Sequence, residues 1–152
     1  MSSNEAIRSA FGTLIAQTAR QWRRAVDRQL QPFGLTEATW LPLLHLARAR
    51  APMRQKDLAV SLALDGSSVV RLLDALQAAG LVERRGGDAD RRAKAIVLTA
   101  LGRSTVGQVE AVARKVREEV LAGLTDEEIE AASRALDHIC RVLAPAAEDP
   151  AA

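Results

Sequence analysis

Tyrosine is missing from the 152 residues, and the only other aromatics are Trp22, Trp40, Phe11 and Phe33. A protein that grips single strands by stacking bases on aromatic platforms is poorly supported by that inventory. The single cysteine, Cys140, cannot close an internal disulfide. That fits a reducing compartment, and a cytoplasmic location is the expectation. No apolar run approaches the length of a membrane span, and no basic-then-apolar segment of the secretory kind opens the chain, so neither insertion nor export is expected. The two histidines, His45 and His138, lie on separate stretches, and no Cys/His/Asp/Glu group has metal-ligand spacing. No metal, cofactor or catalytic constellation is expected. Gly86-Gly87 lacks the lysine and helix that a phosphate loop requires, and the acidic run 126–130 reads as helix-start chemistry.

What is present suits one domain with a real core, since 152 residues are not comfortably two. The net charge is only +2, but residues 1–50 sum to +4, residues 51–94 to +2 and residues 95–152 to −4. Basic character is kept from the C-terminal third, as it would be if one face met a polyanion.

Apolar residues at 7, 11, 14, 15, 22, 26 and 30, with Thr18 tolerated between them, predict a helix over residues 6–30, closed by Pro32 and Gly34. Thr36 is a good N-cap for the next helix, with Leu35 and Trp40 as its staple. Pro42 inside that helix predicts a kink, and Pro52 breaks the chain. Two short helices follow. Leu58, Ala59 and Leu62 face one way on the first. Asp65 caps the second, where Val69, Leu72, Leu73 and Leu76 follow at helical spacing and Gly80 with Leu81 closes the end. The pair is a helix-turn-helix candidate.

Residues 81–85 and 94–98 read as strands of a hairpin, with Arg84, Arg85, Arg91, Arg92 and Lys94 crowded about its tip. A two-stranded wing placed directly after a helix-turn-helix can reach one DNA groove while the second helix occupies another. Taken alone, it could equally be a solvated hairpin whose charges keep it soluble. The remainder is helical: Val106, Val109, Ala113, Val116 and Val120 recur at steps of three and four, and Thr125 with Glu128 forms a capping box before Ile129, Ala132, Leu136, Ile139 and Leu143. The terminal helices carry more apolar face than a small winged helix can cover, which predicts a second copy of the chain as the cover.

The runs RQWRRAVDRQLQPFGLTEATW, RQKDLA, SSVVRLLDALQAAGLVERR and DRRAKAIVLT resemble, in order and within residues 6–143, the MarR family of winged-helix transcriptional regulators, and within it the SlyA-like group. The resemblance implies a mainly α fold in one domain, residues 1–152. Its winged helix-turn-helix lobe, with a two-stranded β wing, covers about 36–99, and N- and C-terminal dimerisation helices cover about 5–31 and 100–144. It implies a homodimer whose two lobes read a pseudo-palindrome in double-stranded DNA.

By the same resemblance Arg71 contacts base edges in the major groove, and Ser67 and Ser68 lie near the exposed start of that helix, suited to bases or phosphates. Arg92 enters the minor groove, and Asp90 orients it. Arg54, Gln55, Arg84, Arg85, Arg91 and Lys94 complete the expected DNA-facing set. Many relatives have Asp-Pro just before the DRR turn, where this chain has Gly87-Asp88, which bears on the stiffness of the wing tip.

Relatives also bind small aromatic acids between the dimer helices and the lobe. Thr18, Trp22, Trp40 and His45 are the candidates for such an effector site here, with Arg20 or Arg23 for a carboxylate; both tryptophans serve equally well as core or interface residues. Some relatives sense oxidants through a cysteine near the first helix, a place where this chain has none. Cys140 therefore reads as a buried dimer-interface residue, with a redox-responsive regulator as the alternative. From another class, a winged-helix protein–protein adaptor competes. It would require apolar residues on the outer face of the second helix, where Ser67, Ser68, Arg71 and Asp74 stand.

Overall fold

The computed structural model describes residues 2–86 and 94–145, so the expectations for Asp90, Arg91 and Arg92 lie outside the described residues. The chain divides into two compact units, Met1–Val116 and Arg117–Ala152.

The first unit opens with α1, Ser3–Leu30, whose N-cap Ser2 accepts a hydrogen bond from the Glu5 amide. A 3-10 turn at Gln31–Phe33 leads into α2, Glu37–Arg48, a single helix that holds buried Pro42 within it. Thr36 is the N-cap residue of α2, as expected, but its side chain makes no cap bond. It faces the Thr39 hydroxyl at 3.4 Å, and only its backbone carbonyl, accepting from Thr39 and Trp40, starts the helix.

Met53–Arg54 forms β1, followed by α3, Gln55–Leu62, and α4, Gly66–Ala78. The Asp65 carboxylate caps α4, as expected. At the other end of α4 the Leu81 amide bonds back to the Leu76 carbonyl and the Gly80 amide to that of Gln77, a Schellman closure that puts Gly80 at a φ of 74°. Glycine meets that left-handed geometry without a Cβ penalty.

The strands β2, Val82–Arg85, and β3, Ala95–Leu98, pair antiparallel with Val82 opposite Leu98 and Arg85 opposite Ala95. The expected two-stranded wing is part of a three-stranded sheet. The short β1 adds to the far side of β3, Met53 opposite Ile96, in the order β1-β3-β2.

α5, Ala100–Leu121, begins against this sheet. The Thr99 hydroxyl donates to the Gly80 carbonyl and accepts from the Gly102 amide, while Arg103 donates to the Leu98 carbonyl. Gly102 is needed here because a Cβ would run into the Leu81 carbonyl oxygen.

Two apolar clusters hold the unit. One gathers Leu43 of α2, Leu58 of α3, Val69, Leu73 and Leu76 of α4, and Leu81, Val82 and Ile96 of the hairpin. The other joins Val26 and Leu30 of α1, Trp40 and Leu44 of α2, and Val109 and Val116 of α5. α2 therefore contributes to both clusters, with Leu43 facing one and Leu44 the other.

The second unit contains the end of α5 and α6, Asp126–Leu143. The capping box is present: Glu128 accepts from the Thr125 amide at 2.9 Å and the Thr125 hydroxyl accepts from the Glu128 amide at 3.2 Å. No residue of α6 is buried within the single chain. Among the described residues no helix is long and apolar enough to cross a membrane.

Candidate nucleic-acid interface

α4 is amphipathic in the sense a reading helix needs. Val69, Leu73 and Leu76 are buried, while Ser67, Arg71 and Asp74 are exposed along the opposite side. Spacings of three and four residues put these polar side chains on neighbouring turns of one face.

At its start the Asp65 carboxylate collects three bonds: from the Ser67 hydroxyl at 2.7 Å, the Ser68 amide at 2.7 Å and the Ser68 hydroxyl at 3.0 Å. The Ser67 hydroxyl first, then the Ser68 amide and hydroxyl, stabilise the ionised form and lower its pKa to about 2. Both serine protons are committed to Asp65 here, so toward a nucleic acid these hydroxyls present lone pairs. The fixed carboxylate also opposes a phosphate at this helix end.

The basic residues divide. Arg54 is exposed at the end of β1, where its amide donates to Asp57 at 2.8 Å. Arg85 is exposed, its side chain held by Glu83 of the same strand at 2.7 Å, and Lys94 is half-buried at the start of the returning strand. Two expectations for DNA-facing side chains do not fit their positions. Gln55 is buried, 8% exposed, at the base of α3. Arg84 is turned inward with its side chain 6% exposed, donating to Asp74 at 3.0 Å and Gln77 at 2.8 Å on α4. The physical reason is strand alternation: Val82 enters the core, so Arg84, two residues on, leaves from the same face of β2.

The candidate effector residues separate as well. Trp22 is half-buried and packs against the cluster that holds Trp40. Trp40 is 2% exposed, and its indole N–H is taken by Asp27 of α1 at 3.0 Å. Thr18 is exposed, one turn before Trp22. His45 faces α3, where its Nδ1 lies 2.6 Å from the Ser61 hydroxyl; partial burial, then the charge of Arg48, lower its pKa. Arg23 lies 3.8 Å from Glu37. Cys140 is exposed in the single chain.

A family model described as the MarR family matches residues 33–93, which take in α2, β1, the α3–α4 helix pair and the first strand of the hairpin. Among solved structures, transcriptional regulator PA3341 is 45% identical over 88% of this chain and 97% of its own, with a TM-score of 0.80. The chain belongs to the MarR family. CouR from Rhodococcus jostii RHA1, solved with p-coumaroyl-CoA, is 26% identical over 88% of this chain and 93% of its own, with a TM-score of 0.74. The Staphylococcus aureus MepR–DNA complex shares the fold at 24% identity and a TM-score of 0.75, covering 88% of this chain and 98% of its own.

The structure of this MarR-family chain also shows internal contacts around the helix pair and hairpin that sequence reasoning passed over. Arg103 and Thr99 fasten the base of the wing to α5 and to the end of α4. Arg48 joins α2 to α5 through two parallel bonds to Glu110, at 3.1 and 3.0 Å. The inward turn of Arg84 was signalled by its place two residues after a core valine. Thr99 and Arg103 carried no such signal, because their partners are backbone carbonyls that only the folded chain brings near.

Proposed function

We propose that this chain is a sequence-specific regulator of transcription that binds double-stranded DNA as a homodimer, reads a pseudo-palindromic operator and responds to a small aromatic or phenolic ligand. The observation that carries the reading is α4 itself, with apolar residues sunk in the lobe and Arg71 exposed on the opposite side. In this reading Arg71 contacts guanine in the major groove, with Ser67 and Ser68 accepting from neighbouring base edges. Arg54, Arg85, Arg91 and Lys94 supply the charge that meets phosphates, and Arg92, oriented by Asp90, enters the minor groove. The quoted runs further favour a SlyA-like member.

Apolar side chains left in water support the homodimer. Ile7 and Leu14 of α1 are 60% and 59% exposed, and Leu143 of α6 is 76% exposed. Exposed faces of this kind are what a second copy covers, and Cys140 lies on the same helix as Leu143. For the effector, the partly open Trp22 and Thr18 of α1 are the better-placed candidates. Trp40 lends its ring only from within the core, and His45 acts through α3.

The test is the salt dependence of binding to random duplex DNA. A regulator that displaces counterions loses affinity steeply, with a log–log slope near the number of phosphates it contacts. A winged-helix protein–protein adaptor shows little binding and little slope.

A further inference from the structure

Arg84 occupies an expensive position for a charge. Its side chain is 6% exposed, and its Nε is buried without a hydrogen-bond partner. A cation taken from water in this way needs directional partners to offset its desolvation, and one donor here goes unmet. Its partners are both on the recognition helix: Asp74 Oδ1 at 3.0 Å and Gln77 Oε1 at 2.8 Å, three residues apart on neighbouring turns. Along the strand, Arg84 stands opposite Ile96 and next to the pair Arg85–Ala95 that closes the hairpin. One guanidinium thus joins the exposed side of α4 to the strand pair that carries the wing tip.

We infer that Arg84 is a positioning residue that fixes the wing relative to the recognition helix and so sets operator specificity without contacting DNA. This inference rests on the DNA-reading function proposed above. Helix and wing must enter neighbouring grooves together, and a wing held in advance loses less freedom on binding. A planar guanidinium fixes two acceptors in direction as well as distance, which a lysine ammonium does not.

The experiment compares the full-length chain with Arg84→Met, Gln77→Met and the double variant, on random duplex and on an operator selected from a random pool. It reads the operator-to-random affinity ratio and the salt slope on random duplex, with the thermal midpoint of the free protein reporting folding. Arg84→Met is expected to lower the ratio about tenfold and leave the slope unchanged. Gln77→Met should lower it by less, with the double variant no worse than Arg84→Met.

A slope reduced by about one with the ratio kept makes Arg84 a phosphate contact and overturns the inference. An unchanged ratio with only a shifted thermal midpoint makes it a brace of the fold and overturns it equally. Should Arg84→Met fail to fold, Gln77→Met, altered at an exposed position, decides alone, and an unchanged ratio rejects the inference. A wild-type chain that shows no salt-dependent binding overturns the DNA-reading proposal itself, an outcome visible without any variant.

Discussion

Trp40 on α2 donates its indole N–H to the Asp27 carboxylate on α1 at 3.0 Å, with the ring 2% exposed in the cluster between α1, α2 and α5. The bond fixes which way the ring faces and ties α1 to the lobe. Trp40→Phe retains an aromatic ring but removes the donor and some volume. It is expected to cost about 1–2 kcal/mol, read as a lower urea midpoint at unchanged slope. An unchanged midpoint would show that water replaces the donor without loss.

Gly102 and Gly107 make a matched pair on α5. A Cβ at Gly102 meets the Leu81 carbonyl, whereas one at Gly107 meets nothing within 4 Å. Gly102→Ala is expected to destabilise by roughly 1–3 kcal/mol, because backbone must shift to admit the methyl. Gly107→Ala is expected to stabilise by about 0.5–1 kcal/mol through helix propensity. Denaturant unfolding of the two variants side by side checks both signs.

The Asp65 cap makes a prediction about pH. Its folded pKa is about 2, below the ordinary 3.8, so the folded state favours the ionised form. The stabilisation is present above pH 4 and is lost as pH falls through the folded value near 2. Asp65→Asn keeps an N-cap but has no such titration. The gap in unfolding midpoint between wild type and Asp65→Asn should therefore narrow between pH 4 and pH 2. A constant gap across that window would show that the cap bonds do not depend on the charge.

Much of this was legible in the sequence because it is local. Asp65, Thr125 with Glu128, and Gly80 with Leu81 each act on backbone within a few residues, and each does what its spacing implied. The strand β1 was not legible. Two residues after a proline show no alternation, and Met53 and Arg54 become a strand only by pairing with Ile96 and Ala95, some forty positions away. Gln55 and Arg84 were grouped with the DNA-facing residues by chemical type, and burial depends on packing that type does not report. Thr36 stands at the N-cap its spacing implied, but its hydroxyl lies beside that of Thr39 and takes no amide of the first turn.

The assembly makes a prediction of its own. α6 has no fully buried residue within the single chain, so much of its apolar face is left in water unless another surface covers it. Ending the chain after Leu124 is expected to leave protein that is monomeric or insoluble, while the intact chain sediments as a dimer at micromolar concentration. An intact chain that runs as a stable monomer would remove the dimer from the account.

Selection of bound sequences from a random duplex pool, run with the wild type and with Arg71→Ala, tests the central claim most directly. Arg71 is exposed on α4, so its loss should leave the fold intact. The wild type is expected to enrich a pseudo-palindrome with half-sites about one helical turn apart. Arg71→Ala should lose preference at one base pair in each half-site, worth about 1–3 kcal/mol of discrimination. Failure of the wild type to enrich any sequence would contradict the account of a DNA-reading regulator, and an Arg71→Ala variant that enriches the same operator with the same preference would contradict the assignment of base reading to Arg71.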